Sequence, residues 1–188
     1  MLKNATLIGI HGKMGAGKDT LATVIHALRP RMYKSNSFAR PLKEGVMAMF
    51  GWDKIHLEDR SLKESIDPFW GFSPRKAMQL LGTEYGRKGL TDDIWIKAAE
   101  KYYQKSLETG MGVIMTDVRF ENEAAWIRSK TNSILIHVID PNAPYVDPKT
   151  LHPSEQGIEF KGGDIHLMND KNSGVEGLWS SVVKLLED

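Results

Sequence analysis

The sequence contains no cysteine. That excludes disulfide scaffolds, zinc ribbons, haem thiolates and thiol nucleophiles together. It has no long hydrophobic run: the longest apolar stretches reach about six residues, against the ~20 that a membrane span needs. It also lacks a surplus of either charge, since 25 Lys and Arg against 24 Asp and Glu leave +1. That balance argues against a protein that coats nucleic acid or a membrane surface. The histidines (11, 26, 56, 137, 152 and 166) form no i, i+4 pair and no ligand cluster, so a zinc site is not expected. Met1-Leu2-Lys3-Asn4 leads directly into a strand-like run without a signal-peptide core. The expectation is a soluble, cytoplasmic protein.

What remains is ordinary for a globular chain: 188 residues, 41% hydrophobic and 26% charged, enough for one domain with room for an insertion. Short apolar runs alternate with longer helical patterns, the signature of a parallel sheet covered by helices on both faces. Strands are expected at 5–10, 32–38, 113–117, 134–139 and 165–168. Val113-Ile114-Met115 and Ile134-Leu135-Ile136 are unbroken rather than alternating, as strands buried on both sides should be. Helices are expected at about 18–29, 40–50, 74–89, 92–109, 119–130 and 174–187. Ser73-Pro74 supplies a cap and a first-turn proline, and Thr91-Asp92-Asp93 a cap with acidic neighbours. The polar, aromatic-dotted stretch from Gly51 to Phe72 reads as an insertion rather than a core element. Asn142 to Lys161, rich in proline, reads as a loop able to move.

The strongest motif is Gly12-Lys13-Met14-Gly15-Ala16-Gly17-Lys18-Asp19-Thr20. It fits G-x-x-x-x-G-K between the apolar strand Leu7-Ile8-Gly9-Ile10 and a helix carrying Leu21, Val24, Ile25 and Leu28 on one face, the context that makes it a phosphate loop. Glycines let consecutive backbone N–H groups converge on an anion at a helix N-terminus, and Lys18 neutralises the β- and γ-phosphates. After Lys18 stands Asp19, where a Ser or Thr is usual. A carboxylate beside a triphosphate is repelled unless a cation intervenes. Asp19 is therefore read as linked to magnesium or in contact with the acceptor, the alternative being a favourable first-turn charge.

The helix from Pro74 presents Arg75, Gln79, Thr83 and Arg87 as one polar stripe, with Ala77, Met78, Leu81 and Tyr85 opposite and facing the core. Arginine forks and an amide suit a phosphate and a base edge; a solvated face would look similar. Gly82 within it points to a close backbone approach or a break. Asp117 ends a buried strand at the sheet edge where ligands gather, and Arg119 follows, placed to meet transferring phosphate or to cap the next helix with Asp117. His152-Pro153-Ser154-Glu155 lies in the 142–161 loop, either closing over phosphates or making a local turn. Phe69, Trp70 and Phe72 either stack on a base or fill core.

Together these segments resemble the deoxynucleoside monophosphate kinases of tailed bacteriophages. The matching residues are Gly17-Lys18-Asp19-Thr20, Phe38-Ala-Arg-Pro-Leu-Lys43, Arg75-Lys-Ala-Met-Gln79-Leu-Leu-Gly-Thr83, Asp117-Val-Arg119 with Asn122-Glu123, Ile136-His-Val138, Ser154-Glu155, Gly163-Asp164 and Asn169-Asp170, in order from about residue 6 to 186. The resemblance implies a P-loop α/β/α fold with a five-stranded parallel sheet. It implies a single domain over 1–188, with a helical acceptor-binding region at about 40–110 and a lid-like loop at about 141–162. It further implies magnesium-ATP as donor, a deoxynucleoside 5′-monophosphate as acceptor, a homodimer, and a cytoplasmic setting (the host's, for a phage-encoded chain). The catalytic set it suggests is Lys18, Asp19, Asp117 and Arg119, with Asp19 and Thr20 toward the metal and residues 12–20 on ATP. The substrate set is Phe38, Lys43, Trp70, Arg75, Gln79, Thr83, Arg87, Arg119, Ser154 and Glu155. The lid-like loop holds no arginine, only Lys149 and the terminal Lys161, so its cationic role falls to Arg119, Arg128 or Lys149. Competing readings are a P-loop kinase of another metabolite (of the dephospho-coenzyme A or phosphomevalonate type) and a non-catalytic nucleotide switch.

Overall fold

The computed structural model describes residues 4–147 and 150–187. The described chain resolves into two compact units, Met1–Ser37 with Ala99–Asp188, and Phe38–Ala98.

The first unit holds five strands: β1 (Leu7–His11), β2 (Tyr33–Asn36), β3 (Gly112–Val118), β4 (Ser133–Ile139) and β5 (Ile165–Met168). They form one sheet in the order β2-β3-β1-β4-β5, every pair parallel. Central β1 explains why its apolar residues are continuous. Leu7, Ile8 and Ile10 are wholly buried because both faces are covered and both edges paired. Helix α1 (Lys18–Leu28) turns Leu21, Ala22, Val24 and Ile25 onto one face of the sheet. Leu178 and Val182 of the C-terminal helix (Gly174–Glu187) join the same core. On the other face Ile127 presses on β1 so closely that a Cβ at Gly9 would lie 2.8 Å from its Cδ1. The strands and their all-parallel arrangement agree with the sequence reading. Their carboxyl ends, where the crevice of an open α/β sheet lies, carry the glycine loop, Asp117 and Asn169.

The second unit contains α2 (Arg40–Phe50), α3 (Lys54–Glu58), α4 (Arg60–Glu64) and α5 (Pro74–Gln79), then a π-helix (Leu80–Leu90) and the start of α6 (Ile94–Glu108). Its core is Val46, Trp52, Leu57 and Ala77, with Leu42, Phe50 and Phe72 packed around them. This corrects the reading of 51–72 as an insertion outside any core: Leu57 is 1% exposed and Trp52 5%. Two helices of five residues each are too short to show a helical period, so the sequence carried no periodic signal there.

A second correction concerns the helix expected at 74–89. It opens as anticipated, Ser73 Oγ accepting from Lys76 N–H at 3.3 Å and Pro74 in the first turn. After Gln79 the coil widens to π geometry. Gly82 and Gly86, poor helix formers, sit where it widens. The Trp95 indole donates to the Gly82 carbonyl at 2.9 Å, and Leu42 lies 2.7 Å from where a Gly82 Cβ would be. With more residues per turn, the four-residue stripe no longer stays on one face. Thr83 and Arg87 turn inward, while Tyr85, expected in the core, is 68% exposed.

The remaining elements are α7 (Glu121–Arg128), α8 (Gly174–Glu187) and two short 3₁₀ turns, Pro153–Glu155 and Lys171–Ser173. Among the described residues no helix is long and apolar enough to cross a membrane.

Candidate active site

The site in the first unit begins where β1 stops. The chain leaves the sheet at His11, loops through 12–17 and enters α1 at Lys18. At Gly12 a Cβ would lie 2.6 Å from the Val138 carbonyl oxygen, so only glycine passes. Gly17 is the residue before the helix and adopts φ 98°, ψ 21°, a left-handed conformation that costs glycine little. The free N–H groups of the first helical turn open onto this loop. Lys18 Nζ folds back across it and donates to the carbonyls of Gly12 at 2.8 Å and Lys13 at 3.0 Å. The ammonium is thus held in the concavity where an anion's charge would be met.

Four of the sequence-derived residues come together here. Burial lowers the Lys18 pKa, and the nearby Arg119 lowers it further, while the carboxylates of Asp19 and Asp117 raise it. Lys18, Asp19, Asp117 and Arg119 therefore share one electrostatic neighbourhood, two cations interleaved with two anions. Asp117 lies near the end of β3. The turn after it is shaped by Glu123, 2% exposed, whose Oε2 accepts from the N–H groups of Arg119 (2.8 Å) and Phe120 (3.1 Å). This is the acidic half of a capping box on α7. Glu123 takes that capping position, and Arg119 is exposed at the sheet edge. Asp19 and Thr20 are also exposed, on the first turn of α1.

His11 was not singled out by its sequence pattern. Its Nδ1–H donates to the Val118 carbonyl at 2.8 Å, joining the ends of β1 and β3. Burial lowers its pKa to about 4, against the opposing effect of that hydrogen bond. His11 is neutral at pH 7.

Most of the expected substrate residues, from Phe38 to Arg87, lie in the second unit. Arg75 Nε donates to Glu64 at 2.5 Å and its side chain is 21% exposed. Gln79 and Lys43 are half-buried. Trp70 is 38% exposed and its indole donates to the Phe50 carbonyl at 3.1 Å. Phe38, 2% exposed, is core. Thr83 is buried, and Arg87 is engaged from within: Nη1 donates to the Asp92 carbonyl at 2.7 Å and lies 3.5 Å from its carboxylate.

In the 142–161 loop the Ser154 N–H and hydroxyl both donate to His152 Nδ1, at 3.3 and 2.9 Å, shaping a 3₁₀ turn that includes Glu155. The return segment is fastened. Arg128 donates to both oxygens of Asp164 at 3.0 and 2.7 Å and to the Glu159 carbonyl at 2.8 Å. The Glu159 N–H donates to Glu121, and the Lys161 N–H to Asp164 at 2.9 Å. Burial opposes ionisation of Asp164, but Arg128, the Lys161 N–H and His137 outweigh it and hold the pKa below its ordinary value. Arg128, one candidate for the missing lid cation, is thus committed to Asp164. Lys149, another, lies outside the described residues.

Residues 58–182 match the family model described as deoxynucleotide monophosphate kinase. The chain belongs to that family. It is similar to the deoxynucleoside-5′-monophosphate kinase of Escherichia phage T5, 28% identical with 93% of each chain covered. It is also similar to a protein of Acanthamoeba polyphaga mimivirus named "Putative deoxynucleotide monophosphate kinase", 29% identical over 97% of this chain and 96% of the relative. The alignment with the T5 kinase spans 236 positions, more than the 188 residues of this chain, so that relative carries additional segments within the shared frame. The chain is accordingly a kinase, a nucleotide-binding transferase with the deoxynucleotide monophosphate kinase activity of its family.

For this kinase the sequence pattern alone missed His11, Asn169 and the Arg128–Asp164 anchor. Asn169 stands just after β5, and its Nδ2 donates to the Ala16 carbonyl at 2.8 Å, a contact across 153 residues that no local pattern signals. The one clue was its place in the Asn169-Asp170 pair that carries part of the resemblance.

Proposed function

We propose that this kinase transfers the γ-phosphoryl group of ATP, with magnesium, to a deoxynucleoside 5′-monophosphate, giving the diphosphate and ADP. The observation that carries the reading is the shared neighbourhood of Lys18, Asp19, Asp117 and Arg119 at the mouth of the glycine loop. In this reading residues 12–20 bind the donor's phosphates, the loop amides and Lys18 carrying the charge. An oxygen of the acceptor's phosphate attacks the γ-phosphorus while the bond to the β-γ bridging oxygen breaks, and the electron pair leaves with ADP. Such transfer asks little covalent chemistry of a protein. Positioning and charge neutralisation dominate, and Arg119, exposed at the end of β3, neutralises charge on the moving group.

Asp19, Thr20 and Asp117 offer hard oxygen donors, the set that suits magnesium retaining water and phosphate oxygens. Asp19 and Thr20 would hold the ion, which supplies neutralisation of the phosphate charge. Arg75 and Gln79 bind the acceptor's phosphate and base edge. Arg75 does so in exchange for Glu64, and Trp70 offers a ring face. Residues 141–162 act as a lid that excludes water, the competing acceptor. Family resemblance alone supports a homodimer, which sedimentation at assay concentration tests.

The deciding experiment is ADP release with magnesium-ATP across ribo- and deoxyribonucleoside monophosphates. Acceptor-dependent release with the deoxy series is expected. Release indifferent to any monophosphate would sink the reading. Lys18→Ala should retain the fold by circular dichroism and lose at least ~100-fold in turnover, as removing a charge that meets the transition state does.

A further inference from the structure

We infer that Asn169 is a positioning residue for the donor loop, fixing one of its peptide planes from the carboxyl end of the edge strand β5. The inference rests on the reading of residues 12–20 as the ATP-phosphate loop. It adds a residue that never touches the reacting atoms.

The geometry is local and specific. Asn169 is 8% exposed and its Nδ2 donates to the Ala16 carbonyl at 2.8 Å. A trans peptide carries its C=O and its N–H on opposite sides, and the described chain contains no cis bond. Holding the Ala16 oxygen toward β5 therefore turns the Gly17 N–H the other way, away from β5. That N–H and its neighbours at the start of α1 are the donors an anion nest uses. An unheld peptide in a glycine-rich loop can flip, and each flip replaces a donor by a carbonyl oxygen facing the phosphates.

Asn169 is itself held in place. Its own N–H donates to the Ile139 carbonyl at 2.8 Å, extending the β4–β5 ladder by one residue. The next residue, Asp170, accepts from the Asn172 N–H at 2.9 Å and from Asn142 Nδ2 at 3.1 Å. Lys171 pairs with the buried Asp140 at 2.7 Å. The amide is thus presented from a rigid corner. The fit is mutual, since a Cβ on Gly17 would lie 2.2 Å from Asn169 Nδ2.

The chemistry requires a donor at this position. Aspartate has nearly the same shape but sets a carboxylate oxygen against the Ala16 carbonyl and adds negative charge near the phosphates. Alanine only deletes the bond. The test is calorimetric titration of magnesium-ATP, with KM for each substrate, in wild type, Asn169→Ala and Asn169→Asp. In Asn169→Ala the affinity for ATP should fall about tenfold, the scale of one lost neutral hydrogen bond. In Asn169→Asp it should fall further, while the monophosphate KM stays within about twofold in both. Unchanged ATP affinity in both variants overturns the inference and leaves the ATP-loop reading standing. A parallel rise in both KM values with a lower melting temperature also overturns it, showing a merely structural residue. Wild-type protein that gives no heat with ATP overturns the loop reading itself.

Discussion

Protonating His11 means placing a charge in a buried site whose Nδ1–H is already committed to Val118. Burial holds its pKa at about 4 against 6.5 in the unfolded chain. Burial also lowers the pKa of His137, although Asp164 beside it works the other way. Between pH 6.5 and 4 the unfolded chain binds more protons than the folded one, so stability falls as pH falls through that window. For His11 the loss approaches about 3 kcal/mol. Urea midpoints should drop between pH 7 and pH 5, and His11→Asn, which can still donate to Val118, should shrink the drop; equal midpoints at both pH values would refute this. Arg75 makes a separate prediction. Deleting a charge-assisted contact to the acceptor should raise the monophosphate KM by roughly 10- to 100-fold with the ATP KM unaltered. If Arg75→Ala leaves the monophosphate KM where it was, Arg75 serves the fold rather than the acceptor. Lys18 and Asp19 were legible because the loop motif is contiguous in sequence. The pairing of Arg75 with Glu64 was not, since nothing in a helical stripe reveals a partner eleven residues away on another helix.

At the scale of elements, the π-helix from Leu80 to Leu90 is the clearest departure from local expectation. A helix-period pattern counts residues at 3.6 per turn, and the stripe through Thr83 and Arg87 held only while that count applied. The wide turn is locked by Gly86, where a Cβ would meet the Trp95 ring and the Leu81 carbonyl oxygen, both at 2.9 Å. At Gly82 the obstacle is one flexible leucine end. Gly86→Ala should therefore destabilise by about 1–3 kcal/mol, as overpacking against a fixed ring and backbone does, and Gly82→Ala by less. Chemical denaturation measures both; the reverse ranking would show that helix propensity, not packing, governs this segment. The short helices α3 and α4 escaped notice for a related reason. Their one buried anchor, Leu57, gives no period, and only the aromatic core around Trp52 makes them necessary.

For the whole molecule, the sequence marked 142–161 as a loop able to move. The structure adds that its two halves are held differently. Residues 141–147 are all exposed, Tyr145 at 84%, whereas 159–164 are tied to α7 through Arg128, Asp164 and Glu121. If the loop closes over bound substrates, magnesium-ATP with a deoxynucleoside monophosphate should protect Tyr145 from chymotrypsin. Cleavage at the same rate with and without them would show that no closure occurs. Arg128→Ala should loosen the 159–164 segment and raise the rate at which the same protease cleaves at Phe160, which is 43% exposed but stacked 3.8 Å from His166.

The sequence by itself determined the parallel sheet and the glycine loop between β1 and α1. Buried strands must be continuously apolar, and a phosphate loop must string its glycines and lysine at fixed spacing between strand and helix. Both signals are local. Only the tertiary structure decided the pitch of the helix after Gln79, the partner of Arg128 and the residue that holds the Ala16 peptide. Each of those depends on where a distant side chain arrives once the sheet has formed, and a contact spanning 153 residues, such as Asn169 with Ala16, leaves no period or spacing in the chain that makes it.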